Sequence, residues 1–276
     1  MRHIAMAAVL ALDIAGMPGL AHAALHGNGK KVTQARPLVA PFTEIRLEGP
    51  IDIKVSEGDT PEMSVTIDEN LQAAVTTALE GTTLVIGTKE SLDVSGEARV
   101  NVRLPRLLGL ALIGSGDAEV TCGSAARPLR VELKGSGDLT LACTATRLEV
   151  ESNGSGDIHI KATADEAKVV GRGSGDLAYS GDSKRLEIEL GGSGDAELSG
   201  TCEALKASLR GSGDVLARGL AAKNAEVATS GSGDIKLTLA GGSLIADSRG
   251  SGDIDWWGAG RVEHAETDGS GEIRHR

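Results

Sequence analysis

Residues 186–198 read Leu-Glu-Ile-Glu-Leu-Gly-Gly-Ser-Gly-Asp-Ala-Glu-Leu, an apolar alternation, a glycine turn and a second alternation. The tetrapeptide Gly192-Ser193-Gly194-Asp195 inside it is one of nine copies, the last relaxed to Gly-Ser-Gly-Glu. The copies start at Gly114, Gly135, Gly154, Gly173, Gly192, Gly211, Gly231, Gly250 and Gly269, and they end on Asp117, Asp138, Asp157, Asp176, Asp195, Asp214, Asp234, Asp253 and Glu272. Successive starts are 19 to 21 residues apart. A near-constant period of that size marks one coil of a stacked array.

Aligned on the first glycine, the apolar residues fall into columns. Leu110, Val131, Val150, Val169, Ile188, Ala207, Val227 and Ala246 stand four residues before it, and similar columns stand two and six before. After the acidic residue, the first position holds Ala118, Leu139, Ile158, Leu177, Ala196, Val215, Ile235, Ile254 and Ile273, and the third is again mostly aliphatic. Each coil therefore reads as two short strands of period-two alternation joined by the glycine turn. One outward column alternates in sign: Arg130, Glu149, Lys168, Glu187, Lys206, Glu226. Coils stacked in parallel register would set each of these charges beside its opposite. In the turn, glycine permits positive φ, and the acidic side chain is expected to accept backbone amides of its own turn.

The flanks are less regular. Arg2 and His3, the apolar run Ile4–Leu12 and Ala21-His22-Ala23 read as a signal peptide over 1–23, cleaved before Ala24, so the protein is expected to be exported to the periplasm, outer-membrane surface or extracellular space. Residues 24–40 read as a loose leader, 41–113 as irregular first coils and 114–276 as the regular array. Asp68-Glu69-Asn70 should cap a short helix with Leu71, Val75 and Leu79 on its apolar face, ended by Gly81 before a strand from Thr83. In the last coil Glu263, Ala265 and Thr267 replace the aliphatics, as suits an open solenoid end, with Trp256-Trp257 as a lid over the last core layer.

Composition narrows function more by exclusion than by assignment. A net charge of −11 argues against nucleic acid and anionic lipid as partners. No segment is apolar for long enough to cross a bilayer as a helix. The four aromatics, against 38 glycines, suit a thin core of stacked aliphatics. Cys122 and Cys143 each lie five residues after the acidic residue of consecutive coils, within disulfide reach; an oxidised pair and two buried stacked thiols both fit. Cys202 is out of that register and reads as a free thiol.

His26, His159, His264 and His275 show no metal-ligand spacing, and nothing places a histidine and an acid beside the turn serines, so no catalytic, metal or cofactor residue is assigned. The aspartate column reads as turn caps, with a row of calcium sites as its functional alternative. The repeat departs from the nine-residue calcium roll in both period and aspartate position.

Phe42–Val55, Glu57-Gly58-Asp59, Asp68-Glu69-Asn70-Leu71, Gly81–Ile86, Leu104-Pro105-Arg106-Leu107 and Ile113–Asp117 together resemble the putative auto-transporter adhesin head GIN domain family of exported bacterial proteins. The resemblance covers residues 40 to 276. It implies an all-β, single-stranded parallel β-helix, right-handed, and a non-enzymatic binding module for a surface protein or glycan. A structural or cation-binding cell-envelope protein is the alternative.

Overall fold

The structure is a computed structural model describing residues 24–38, 41–123 and 127–276. The signal-peptide reading lies outside the described residues. From Leu139 onward the chain forms a parallel β-solenoid: Leu139–Gly154, Ile158–Gly173, Leu177–Gly192, Ala196–Gly211, Val215–Gly231, Ile235–Gly250 and Ile254–Gly269 are successive coils, each paired in parallel with the next. The register repeats the sequence alignment, with Val150 beside Val169, Ile188, Ala207, Val227 and Ala246 in turn. All of these are buried, as are the columns on either side of the turn. The charged column also stacks as expected, with ion pairs Arg130–Glu149, Lys168–Glu187 and Lys206–Glu226.

Each coil differs from two short strands in one respect. The backbone stays extended and paired through 16 or 17 residues, and only the tetrapeptide turn interrupts it. Past the two apolar positions after the aspartate, a further wall is buried: Cys143 and Ala162, then Ala145, Ala164, Ser183, Cys202 and Ala222. These side chains are too small to stand out in a hydrophobicity pattern, yet neighbouring coils bury them as fully as leucines. The alternation slips by one at the corner after this wall, where Thr146 and Arg147 are both exposed before Leu148 turns in. Tyr179, also fully buried, reaches across to Ser183, their hydroxyls 2.5 Å apart. In the column two before the turn, Thr229 and Ser248 donate to the carbonyls of Gly233 and Gly252 at 2.8 and 2.6 Å, so these buried hydroxyls are satisfied by the turn.

The amino-terminal end is built out of chain order. The coil Glu44–Gly49 with Asp52–Glu57 lies directly against Gly109–Gly114 and Ala118–Thr121. On its other side lie Thr83–Thr88 and Arg99–Leu104, which come later in sequence. Beyond them the sheet turns antiparallel: Val75–Glu80 hairpins onto Thr83–Thr88, and Glu62–Asp68 pairs with Arg99–Leu104. Lys31–Ala35 then pairs with Glu62–Asp68. Residues in the 24–40 stretch are thus strand rather than loose leader, because they cover an edge that would otherwise be open.

The expected helix shrinks to one 3-10 segment, Glu69–Ala74. Val75 is buried but already in a strand, and Leu79 is 39% exposed, so neither forms a helical apolar face. The β-branched Val75, Thr76 and Thr77 gain a pairing partner in Thr83–Thr88, which a helix would forgo. Gly81, at φ 62°, closes that hairpin. Asp68 does not cap the helix with its side chain. It is instead fully buried and accepts from the Gly29 and Ser95 amides and from Lys31 Nζ, at 2.8 to 3.1 Å. Burial pushes its carboxyl up, but the Lys31 ammonium and the two amides outweigh that and hold it below the ordinary value.

Candidate functional site: the turn column and the groove beside it

The acidic column is a spliced ladder. At the turn the serine amide donates to the first-glycine carbonyl of the preceding coil, as Ser212 does to Gly192 at 2.9 Å. The residue after the aspartate donates forward, as Ala196 does to the Asp214 carbonyl at 2.8 Å. Between them the aspartate amide takes a side chain as its acceptor. Asp138 donates to Asp117 Oδ1, Asp157 to Asp138, Asp176 to Asp157, Asp195 to Asp176 and Asp214 to Asp195, all at 2.7 to 2.9 Å. The series continues through Asp234 and Asp253 to Glu272.

The aspartates therefore cap the turn of the next coil, not their own. Parallel stacking sets each carboxylate directly beside the following amide, a relation invisible within one tetrapeptide. Asp52, in the coil where Pro50-Ile51 replaces Ser-Gly, supplies the first acceptor, at 3.0 Å from the Asp117 amide. Glu272 is the last donor of the series, its amide bonding Asp253 Oδ1 at 2.9 Å.

This geometry gives a direct expectation. Asp176→Asn keeps an acceptor for the Asp195 amide and should leave stability nearly unchanged. Asp176→Ala removes it and should cost about 1 kcal/mol. Thermal melts of both variants, with calcium and with chelator, check this; a calcium-dependent difference would show that the column binds cations rather than capping.

Around the coil from the turn lies a groove of 470 Å³. Ala145, Ala164, Ser183 and Cys202 contribute to its lining from the small-residue wall. Polar groups converge on it: the Thr144, Thr163 and Thr201 hydroxyls, Asp165, Asp182, Lys184, Glu203 and Lys223. Thr201 Oγ1 donates to Asp182 Oδ1 at 2.6 Å, and Lys184 Nζ pairs with Asp165 at 2.6 Å. That bond raises the Lys184 ammonium above its ordinary value, so it stays charged at neutral pH. Glu166, next to Asp165 in the chain but outside the groove lining, is held between Arg147 and Arg185. The groove spans five coils, about 19 Å at the usual strand spacing.

Sequence reading did not find this groove. Its polar residues sit on outward positions that vary from coil to coil, and its floor is made of alanine-sized side chains. The signal available was the repeated small residue five to seven places after each aspartate. Cys202 borders the groove, but burial pushes its thiol up to about 11, so it is protonated and a poor nucleophile at neutral pH. Ser183 is engaged by Tyr179. The chemistry present is hydrogen bonding and charge.

Cys122 and Cys143 are neighbours across adjacent coils, following the paired Thr121 and Ala142, and both are free thiols. Burial pushes them up to about 12 and about 11, with Glu57 adding to both shifts. Of the two tryptophans, Trp256 is buried and His275 stacks on it at 3.8 Å between ring centres. It is the lid. Trp257 instead lies half-buried under the Arg218 guanidinium, 4.2 Å from its ring.

The family model of the putative auto-transporter adhesin, head GIN domain, matches residues 41–181 and 166–260. The chain belongs to that family. Among curated proteins none matches it. Solved structures similar to this GIN-domain chain include a putative lipid binding protein from Parabacteroides distasonis, 26% identical with a TM-score of 0.66, over 91% of this chain and 99% of that one. A putative adhesin from Parabacteroides merdae is 21% identical with a TM-score of 0.67, over 91% and 98%. A putative adhesin from Parabacteroides distasonis is 20% identical with a TM-score of 0.69, over 91% and 99%. The last two likenesses establish the solenoid fold alone. Among the described residues, no helix is long and apolar enough to cross a membrane.

Proposed function

We propose that this GIN-domain chain is an exported, non-enzymatic binding module whose groove takes an extended polar ligand, a glycan strand of the cell surface. The observation that carries the reading is the convergence of hydroxyls, carboxylates and ammonium groups on a 470 Å³ groove with a small-residue floor. That volume is within the range of ligand sites, and its long axis runs across coils, as a chain-like ligand would. Export is supported by the signal-peptide pattern of residues 1–23 and by membership of the auto-transporter adhesin head GIN domain family. In the acidic turn column one oxygen of each aspartate from Asp52 to Asp253 is already held by the ladder, which favours the groove as the ligand face.

Binding of the full chain to a panel of bacterial and host glycans tests this. Asp182→Ala and Lys223→Ala should each weaken the retained glycan at least tenfold, with circular dichroism unchanged. If groove variants bind as the parent does, while substitutions in the Arg130–Glu226 column abolish binding, the groove is not the site.

A further inference from the structure

Glu132 and Glu151 stand in register on adjacent coils of the outward face, and each has a cation beside it, Lys134 and Arg130. Glu151 has Arg130 across the coil boundary, and Glu189 has Lys168. In the coil next to the terminal one, the same outward column reaches Asp247, in register with Glu266 of the terminal coil. Two carboxylates then stand side by side on adjacent strands, an unfavourable pairing. Among the described residues, the ion-pair partner of each is the same group, His264 Nε2, at 3.5 Å from Asp247 Oδ1 and 3.6 Å from Glu266 Oε2. Arg249 and Asp268, in register with each other two positions on, are not paired with either.

We propose that Asp247, His264 and Glu266 bind a late first-row divalent cation such as Zn2+. One ligand atom from each of the three lies within 4.8 Å of the others, and the two imidazole–carboxylate separations, 3.5 and 3.6 Å, are near the ~3.3 Å that ligands adopt around one tetrahedral ion. An imidazole with two carboxylates suits zinc and its neighbours; calcium and magnesium prefer an all-oxygen shell. The three residues are separated by 17 and 2 in sequence, so no motif links them, and only stacking brings Asp247 to the other two.

The site has a structural consequence. Asp247 belongs to the coil Ile235–Gly250, and His264 and Glu266 to Ile254–Gly269. The terminal coil is exposed from Gly258 to Gly269, and only its start, Ile254–Trp256, is paired on the outer side, by Ile273–His275. An ion shared by both strands clips the most exposed strand of the array to its neighbour. The open side of the ion faces solvent and takes water.

The test titrates Zn2+ into the full chain made without a histidine tag, followed by calorimetry and by hydrogen exchange. One ion should bind per chain, and exchange of the amides in 258–269 should slow severalfold. His264→Ala, and separately Glu266→Gln, should weaken binding at least tenfold and remove the exchange effect. Ca2+ and Mg2+ at the same concentration should do neither. The proposal is overturned if His264→Ala and Glu266→Gln bind Zn2+ as the parent chain does, which would place the metal on thiols or turn carboxylates. It is overturned equally if the parent shows no saturable binding, or binds without protecting the terminal coil.

Discussion

Gly194→Ala is expected to destabilise the solenoid by at least about 3 kcal/mol, whereas Ser193→Ala, one residue away, should stay within about 0.5 kcal/mol. Gly194 does not have positive φ, so its backbone alone would accept alanine. A Cβ there would lie 2.1 Å from the Gly175 carbonyl oxygen of the preceding coil. That oxygen belongs to backbone locked in the turn ladder and cannot swing away as a side chain would. Gly192 is constrained twice, by φ 131° and by a contact of 1.9 Å to the Gly173 oxygen. The serine side chain, by contrast, stands exposed, and only its amide is used by the ladder. Chemical denaturation of the two variants decides the matter; a mild Gly194→Ala would mean that the turns are stacked less closely than described.

Ile188→Asp should cost more than about 4 kcal/mol at neutral pH, enough to separate the array into weakly coupled halves. Ile188 is fully buried, between Val169 and Ala207 of the adjoining coils. An aspartate there lacks any cation, so its carboxyl would be driven well above the ordinary range. The sign of the pH effect follows. A carboxyl whose folded pKa exceeds its unfolded value destabilises progressively as pH rises through the unfolded value, about 3.9, towards the folded one. The variant should therefore lose less at pH 4 than at pH 7, a comparison that thermal melts provide. An equal loss at both would point to steric disruption rather than a buried charge.

How far the sequence could be read depends on what lies within one coil and what lies between coils. The 19-residue spacing, the aliphatic columns and the alternating charges each repeat at a fixed offset, so alignment of the chain on itself sufficed for the parallel stack, its register and the Lys168–Glu187 type of pairing. The turn was legible as a turn and its first glycine as a positive-φ position, but the reasons for its second glycine and its aspartate were not. Glycine at Gly194 answers to a carbonyl one coil away, and Asp176 serves the amide of Asp195; both partners sit 19 residues off in sequence but against each other in space.

The same distinction separates the remaining features. Long apolar side chains announce buried walls, while Ala145, Ala164 and Cys202 do not, and so the groove waited for the tertiary structure. Asp247, His264 and Glu266 share no motif, and stacking alone gathers them. At the amino-terminal end, strands laid out of chain order break the repeat, and local propensity pointed to a helix and a loose leader where edge pairing makes strand. The sequence by itself determined a periodic parallel β-array. Which residues touch across its 4.8 Å steps was decided by stacking, because cross-coil contacts depend on register and closeness rather than on neighbours along the chain.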